Sequence, residues 1–252
     1  MKGSGAGKLF RYINDEKNVI GAGGYGLVIE NTRKKVSKLF FDNDACQAMF
    51  YEASIMHDAK KIIEALHYPV KVPSIWEVYN KNVYYKGQQM LCGIQMERVY
   101  PPKGYNALFH ILCGTEDDVD TYWGKRISEP VCENNPPRGF FASKDSAEEL
   151  WEKEGFDFNI DKYCALMGAV CGSLLSHGIL PIDLEFVYFD RTIWVLDFGL
   201  CVRVKKHIDP MEFYLRHSAE GLGTDLYIPH KNMEGYESFL HEYLYWANHR
   251  NN

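Results

Sequence analysis

Apolar and polar positions alternate with a strand period in the N-terminal third of the chain and then change to a helix period. Short β-branched and aromatic runs surround the polar stretch "NTRKK" at residues 31–35, a pattern typical of a β-hairpin rather than the start of a helix. Residues 46–62 then repeat apolar positions at helical spacing. This stripe contains Met49, Glu52, Ile55 and Met56, and a buried strand is expected after it at Leu91–Met96.

The clearest helix pattern lies in the C-terminal half, in "FNIDKYCALMGAVCGSLLSHGIL" at residues 158–180. Asn159 can cap its start and Gly178 can end it. Gly168 and Gly172 lower the helix propensity but leave room for a close neighbour. We expect His177 to be a helix-end residue rather than a catalyst.

Three carboxylates converge at the end of a second predicted hairpin. The apolar runs "FVYF" and "TIWVL" flank a turn at residues 190–191, and the second run leads into Asp197. The turn returns Asp197 to the side of Asp183 and Glu185, although a one-residue change of register would alter which acids face each other. Carboxylates this close repel one another unless cations lie among them. We therefore expect a divalent-cation site here.

A glycine-rich stretch lies between the first predicted strands. "GAGGYGLV" has GxGxxGxV spacing, and glycines between two strands allow a backbone to fold over phosphates. An earlier stretch, "GSGAGK", fails the P-loop pattern because Lys2 and Leu9 occupy positions that need a glycine and a hydroxyl, so we expect a flexible leader there. The predicted phosphate-binding positions are Gly21, Gly23, Gly26 and Val28.

A lysine on the following strand is the candidate partner of those phosphates. Lys38 comes two residues after Val36, so both side chains point to the same face of the strand. Glu52 lies inside the apolar helix stripe, where a carboxylate is costly unless it is paired. We expect Lys38 and Glu52 to pair and to hold the α and β phosphates of a nucleotide. The alternative is that both are solvated surface residues.

Composition and charge narrow the class of protein. With 252 residues, 46% of them hydrophobic, the chain can bury one large core or two lobes. The net charge of −6 offers no basic stripe for nucleic acid, and no stretch reaches the ~20 apolar residues of a membrane span. Without a signal-peptide pattern, an intracellular protein, cytoplasmic or nuclear, is expected. The seven cysteines lack CxxC spacing and are expected to be reduced, mostly buried thiols rather than zinc ligands.

The motifs occur in the order found in protein kinases, and residues 19 to about 200 resemble the protein-kinase-like superfamily. The resemblance rests on "GAGGYGLV", Lys38, Glu52, "MERV", Asp183 and "DFG". More narrowly, "PIDLEFVYF" and "TIWVLDFGLC" resemble an uncharacterised fungal family that is sometimes labelled zinc-finger-associated, although the cysteine spacing does not support that label. That family supplies no known activity.

The resemblance implies an α+β, two-lobed fold. Residues 1–97 would form an N-lobe of antiparallel sheet plus one helix. Residues 98–252 would form a reduced, mainly α-helical C-lobe that contains a hinge insert at 101–158 and a catalytic-loop hairpin at 181–199. The insert, with a predicted helix "YNALFHILC" and a capping box from Ser146 to Glu149, is either structural filler or a platform for a substrate or a protein partner.

The resemblance also implies ATP with Mg or Mn as cofactors and gives the candidate residues their roles. Lys38 would orient phosphates, and Asp183 would position the acceptor hydroxyl. The other assignments are Met96 as gatekeeper, backbone groups of Glu97 to Val99 as adenine contacts, and Asp197 and Glu185 as metal ligands.

Two departures leave the activity open. Pro181 and Ile182 replace the His and Arg of the kinase catalytic loop, and a three-residue deletion puts Glu185 where a metal-binding Asn should stand. The leading hypothesis is an atypical kinase-like protein that binds ATP with a divalent cation and transfers phosphate to an unknown acceptor. The alternatives are a pseudokinase that acts as a nucleotide-binding or interaction scaffold, and an enzyme that transfers another group such as AMP.

Overall fold

The structure is a computed structural model that describes residues 19–23, 26–40, 43–85, 88–99, 148, 151–182, 184–217 and 235–249. It is a mixed α/β protein with an antiparallel N-terminal sheet and several helices. The elements are β1 (Val19–Gly23), β2 (Gly26–Thr32), β3 (Lys35–Phe40), α1 (Asn43–Glu64), β4 (Val70–Lys71), β5 (Ile75–Tyr85), β6 (Gln88–Glu97), α2 (Ile160–Ser176), β7 (Ile179–Leu180), β8 (Glu185–Phe189), β9 (Thr192–Leu196), β10 (Val202–Arg203), α3 (Pro210–His217) and α4 (Tyr236–Asn248).

The described residues fall into two compact units. One contains those of Met1–His57 and Pro73–Val99, and the other contains those of Asp58–Val72 and Tyr100–Asn252. No helix in the described part of the chain is long and apolar enough to cross a membrane.

The first unit is built on a five-stranded antiparallel sheet in the order β1-β2-β3-β6-β5. The hairpin predicted around "NTRKK" is confirmed, with its turn at Arg33 and Lys34. The helix stripe is confirmed as well, because its four members are all buried. The core cluster of the first unit, between the sheet and α1, is formed by Phe40, Cys46, Met49, Ala53, Cys92 and Ile94.

The prediction that the cysteines are reduced is wrong for two of them. Cys46 of α1 and Cys92 of β6 form a disulfide with a Cα–Cα distance of 5.8 Å. The two residues are 46 positions apart in the sequence, so no local spacing reveals their pairing. Cys164, Cys171 and Cys201 are buried thiols, as expected, whereas Cys113 and Cys132 lie outside the described residues.

In the second unit, α2 packs against α4 through its two glycines. A Cβ atom on Gly168 would lie 2.2 Å from the Phe239 carbonyl oxygen, and one on Gly172 would lie 2.3 Å from that of Tyr243. The predicted close neighbour of α2 is thus α4. The predicted ends are confirmed too, because the Asn159 side chain accepts a hydrogen bond from the Lys162 amide and Gly178 adopts a φ of 74°.

The strands of the second unit form two small sheets. β8 and β9 make the predicted hairpin, with its turn at residues 190–191, and β4 pairs with β9 in parallel. β7 pairs with β10 in antiparallel. The β8–β9 pairing and the β7–β10 pairing lie on either side of the segment that contains Asp197.

The last residues of the predicted insert pack into an aromatic cluster on α2 and β8. Trp151 lies with its ring centroid 5.1 Å from that of Phe158 and 5.9 Å from that of Tyr163. Tyr188 of β8 donates a hydrogen bond to the Glu154 carboxylate. This end of the insert is therefore part of the core. The helix "YNALFHILC", Ser146 and Glu149 lie outside the described residues.

Candidate functional site

The glycine-rich stretch forms a hairpin between β1 and β2. Gly23 pairs with Gly26, and Gly21 pairs with Val28. A Cβ atom on Gly26 would lie 1.8 Å from the Leu39 carbonyl oxygen. Gly26 is therefore required for packing against β3, whatever ligand the hairpin binds, and this packing reason was missed from the sequence. Residues 24 and 25, at the tip, lie outside the described residues.

The structure brings Lys38 and Glu52 together. The Lys38 Nζ lies 2.9 Å from one Glu52 carboxylate oxygen and 3.1 Å from the other. Glu52 is only 4% exposed, and 24% of the Lys38 side chain is exposed. A buried carboxylate needs such a partner, since an unpaired charge in this position costs several kcal/mol (about 3–5). The Lys38 side chain thus stays partly exposed while its ammonium is oriented by Glu52.

The face of the sheet around Lys38 is apolar. Lys38 lies opposite Val28 on one neighbouring strand and opposite Ile94 on the other. Val36, two residues before Lys38, lies opposite Met96. Paired residues and residues two apart share a face of a sheet. Val28, Val36, Lys38 and Met96 thus lie on one face, and Ile94 in the core cluster shows that α1 packs on it.

The end of β6 is fixed by hydrogen bonds that the sequence did not indicate. The Glu97 amide donates to the Ser74 carbonyl at 2.8 Å, and its carboxylate accepts from the Ser74 amide at 3.1 Å. The Arg98 amide donates to the Lys34 carbonyl at 3.0 Å, while its guanidinium pairs with Glu30 at 2.7 Å. Of the backbone amides predicted to meet adenine, those of Glu97 and Arg98 are therefore engaged within the protein.

The segments that hold the acids run side by side between two paired positions. Glu185 lies opposite Leu196, and Leu180 lies opposite Val202. Ile182 and Leu184 on one side and residues 197–201 on the other therefore lie between two short ladders. The Cys201 thiol donates to the Ile182 carbonyl at 3.6 Å between these two segments. The register that the sequence left open puts the backbone of Glu185 beside the residue that precedes Asp197.

Asp197 has an exposed side chain and a left-handed backbone, with φ 55° and ψ 67°. Asp190 and Arg191 also have positive φ, but a two-residue hairpin turn requires it. No such turn explains Asp197, where the conformation costs roughly 1–3 kcal/mol and is typical of functional sites. The residue that follows Asp197, Phe198, is fully buried.

The predicted metal ligands are only partly described. Asp183 and the side chain of Glu185 lie outside the described residues. Among the side chains that are described, no group of three or more His, Cys, Asp or Glu is arranged to hold a metal ion. The metal site therefore stays a prediction. His177, in contrast, is the predicted helix-end residue: its Nδ1 lies 2.8 Å from the Ser173 carbonyl oxygen.

Comparison with known proteins adds little to this geometry. No protein-family model matches the chain. No curated protein matches it. A solved structure of the gentamicin-APH(2")-IIa complex, an aminoglycoside phosphotransferase with a kinase-like fold, matches with a TM-score of 0.35 and 12% identity, over 90% of this chain and 76% of that chain. A similarity of this size carries no argument about fold or function.

Proposed function

We propose that this protein binds ATP with a divalent cation and transfers a phosphate group to an acceptor. The observation that supports the proposal most strongly is the buried pair of Lys38 and Glu52 on the face shared by Val28 and Met96. The oriented ammonium would contact the phosphates of a nucleotide, and the apolar surface beside it would contact the flat base. The proposal includes the two-lobed, kinase-like arrangement, with a boundary near residue 97, and an intracellular location.

The residues present fit such a nucleotide. The Lys38 side chain is partly exposed, and Glu52 orients its ammonium by accepting two hydrogen bonds. Carboxylates such as Asp197 and Glu185 are the hard oxygen ligands that Mg²⁺ prefers. A bound Mg²⁺ would neutralise charge on the phosphates. Asp183 would accept the proton of the acceptor hydroxyl and orient it for in-line attack.

A thermal-shift titration with ATP, with and without Mg²⁺, tests the proposal. Binding to the native state raises the free energy of unfolding by RT ln(1 + [L]/Kd) and so raises the melting temperature. We expect a rise only when Mg²⁺ or Mn²⁺ is present, because clustered carboxylates otherwise repel the phosphates. An equal rise in excess chelator would remove the metal from the proposal, and no rise in either condition would refute nucleotide binding.

Variants of the ion pair link this effect to Lys38. Lys38→Met alone would leave the buried Glu52 charge without its partner, so the matched change is Lys38→Met with Glu52→Met, which is expected to fold. The double variant should lose the shift caused by ATP and Mg²⁺. Lys35→Met, on the same strand, is the control, since Lys35 lies over the Trp76 ring at 4.5 Å and has no proposed role. A double variant that binds ATP normally would contradict the glycine-loop assignment.

Replacement of the catalytic-loop His and Arg by Pro181 and Ile182 favours one alternative. A pseudokinase scaffold would bind nucleotide without transferring phosphate, and would use the 101–158 insert to bind a protein partner. Incubation with γ-labelled and α-labelled ATP separates the cases. Label from the γ position indicates phosphate transfer, label from the α position indicates AMP transfer, and binding without either supports the scaffold.

A further inference from the structure

The disulfide between Cys46 and Cys92 lies in the same core as the pair of Lys38 and Glu52. Cys46 belongs to the first turns of α1 and Cys92 to β6, and both residues are buried. Met49 and Ala53 of α1 share their core cluster with Phe40 and Ile94 of the sheet. The covalent bond therefore joins the helix to the sheet inside the apolar cluster that packs them together.

The disulfide also lies close in register to Lys38. Cys92 lies opposite Phe40, and Ile94, two residues farther along β6, lies opposite Lys38. Two residues along a strand span roughly 7 Å. Cys46 and Glu52 are separated by a rise of roughly 9 Å along a helix. α1 is thus attached to the sheet at two neighbouring points, one a covalent bond and the other an ion pair.

We infer that the Cys46–Cys92 disulfide is a redox-sensitive clamp that holds α1 where Glu52 reaches Lys38. With the bond reduced, packing and the ion pair alone would hold this part of the helix. A helix that moves away takes Glu52 with it and leaves Lys38 without its orienting carboxylate. The inference rests on the proposed function, because its consequence is tighter nucleotide binding by the oxidised protein.

The clamp forms by a balanced two-electron exchange with a low-molecular-weight disulfide such as oxidised glutathione. One cysteine thiolate attacks a sulfur of the small disulfide, which yields a mixed disulfide and one small thiolate. The second cysteine thiolate attacks the protein sulfur of that mixed disulfide and releases the other small thiolate. The two protein thiols lose two electrons and two protons, and the two small thiols that are formed take up these electrons and protons.

Access to the sulfurs favours Cys46 as the residue where exchange begins. Cys46 is 7% exposed and Cys92 is 1% exposed. Cys46 also lies in the first turns of α1, and helix ends open locally at lower free energy than helix centres. The other described cysteines, Cys164, Cys171 and Cys201, belong to the other compact unit.

Hydrogen exchange of α1 in the full chain tests the clamp without any nucleotide. The protein is prepared once without reductant and once with a phosphine reductant, and the thiol state is verified by alkylation and mass spectrometry. We expect the α1 amides between residues 46 and 56 to exchange on the order of tenfold faster in the reduced protein. Equal exchange in the two states would overturn the inference.

Titration of both states with ATP and Mg²⁺ tests the consequence. We expect the reduced protein to bind on the order of tenfold more weakly, within the usual range of coupling between two sites. Equal affinities would overturn redox control of binding. If neither state binds ATP, the proposed function fails, and α1 exchange alone then decides whether the clamp exists.

A doubly substituted variant and a glutathione series complete the experiment. Cys46→Ser with Cys92→Ser should behave like reduced protein and should not respond to phosphine. If this variant does not fold, the reduced wild-type protein provides the same comparison. In a series of buffers with increasing ratios of reduced to oxidised glutathione, we expect the Cys46–Cys92 disulfide to become reduced at a ratio inside the series. A disulfide that survives in excess reduced glutathione is purely structural and overturns the inference.

Discussion

Asp197 is the residue at which backbone strain and candidate chemistry coincide. Its left-handed conformation is disfavoured for a residue with a Cβ, yet aspartate tolerates it better than most residue types. Asp190 adopts a similar φ of 52° inside a hairpin turn. Among the described residues, two exposed aspartates thus share a left-handed backbone, and of these Asp197 is the one that belongs to the candidate site.

Variants of Asp197, with Asp190 as the matched control, test the proposed metal site. Asp197→Asn should weaken ATP binding in the presence of Mg²⁺ by about tenfold or more, because it removes a charged oxygen ligand while asparagine keeps the backbone conformation. Glu185→Gln should have a smaller effect in the same direction. Asp183→Asn should leave binding unchanged but lower phosphate transfer by roughly 10²–10⁴-fold, since the residue acts on the acceptor.

Isothermal titration beside a transfer assay separates these roles. Asp190→Asn is the control and should change neither binding nor transfer, since its carboxylate lies in the turn of the hairpin. If Asp183, Glu185 and Asp197 variants all bind ATP and Mg²⁺ like the parent, the three acids are structural, and the scaffold alternative takes the place of phosphate transfer.

At the scale of elements, the contact between α2 and α4 depends on two glycines that a propensity argument would count as defects. Gly172→Ala adds a Cβ that would lie 2.3 Å from the Tyr243 carbonyl oxygen and 3.0 Å from the Ala247 amide nitrogen. We expect a net loss of about 1–3 kcal/mol of stability, because the clash outweighs the ~1 kcal/mol gained in helix propensity.

Urea unfolding measures this difference. Ala165→Ser, a small change at a half-buried position on the same helix, is the control and should cost less than Gly172→Ala. A stabilised Gly172→Ala variant would show that α4 does not approach α2 as closely as the structure has it.

The elements that the sequence predicts are those defined by local patterns. The two hairpins follow from β-branched runs around polar turns, and α2 follows from its cap at Asn159 and its stop at Gly178. The register of β8 and β9 was not predictable, because the apolar runs allow a one-residue shift. The pairing of Cys46 with Cys92 and of β4 with β9 was also missed, since long-range partners leave no local signal.

Within the candidate site, the contact between Lys38 and Glu52 was predictable from local patterns, whereas the functional roles of the site residues stay predictions. Glu52 stands out as the carboxylate in an apolar helix stripe, which needs a cation, and Lys38 is the nearest inward-facing one. Gly26, in contrast, was assigned to phosphates although the β3 backbone already requires it. A glycine pattern therefore does not by itself separate close packing from ligand binding.

At the scale of the whole molecule, the described residues with altered acidity include three tyrosines of the second unit. Burial, followed by the Glu242 carboxylate that accepts its hydrogen bond, raises the pKa of Tyr68 to about 12. Burial likewise raises the pKa of Tyr188, to which the Glu154 carboxylate contributes, and that of Tyr243. Each raised pKa means that the folded state keeps a proton that the unfolded chain releases at lower pH.

The sign of the pH dependence follows from this difference. The contribution of Tyr68 to stability is fully present below the unfolded pKa of about 10 and is lost as the pH rises through the folded value. The free energy of unfolding should therefore fall between about pH 10 and pH 12. Tyr68→Phe should make this fall shallower, because phenylalanine has no proton to lose. Urea unfolding at several alkaline pH values measures this fall, and an unaltered slope in Tyr68→Phe would contradict the assignment.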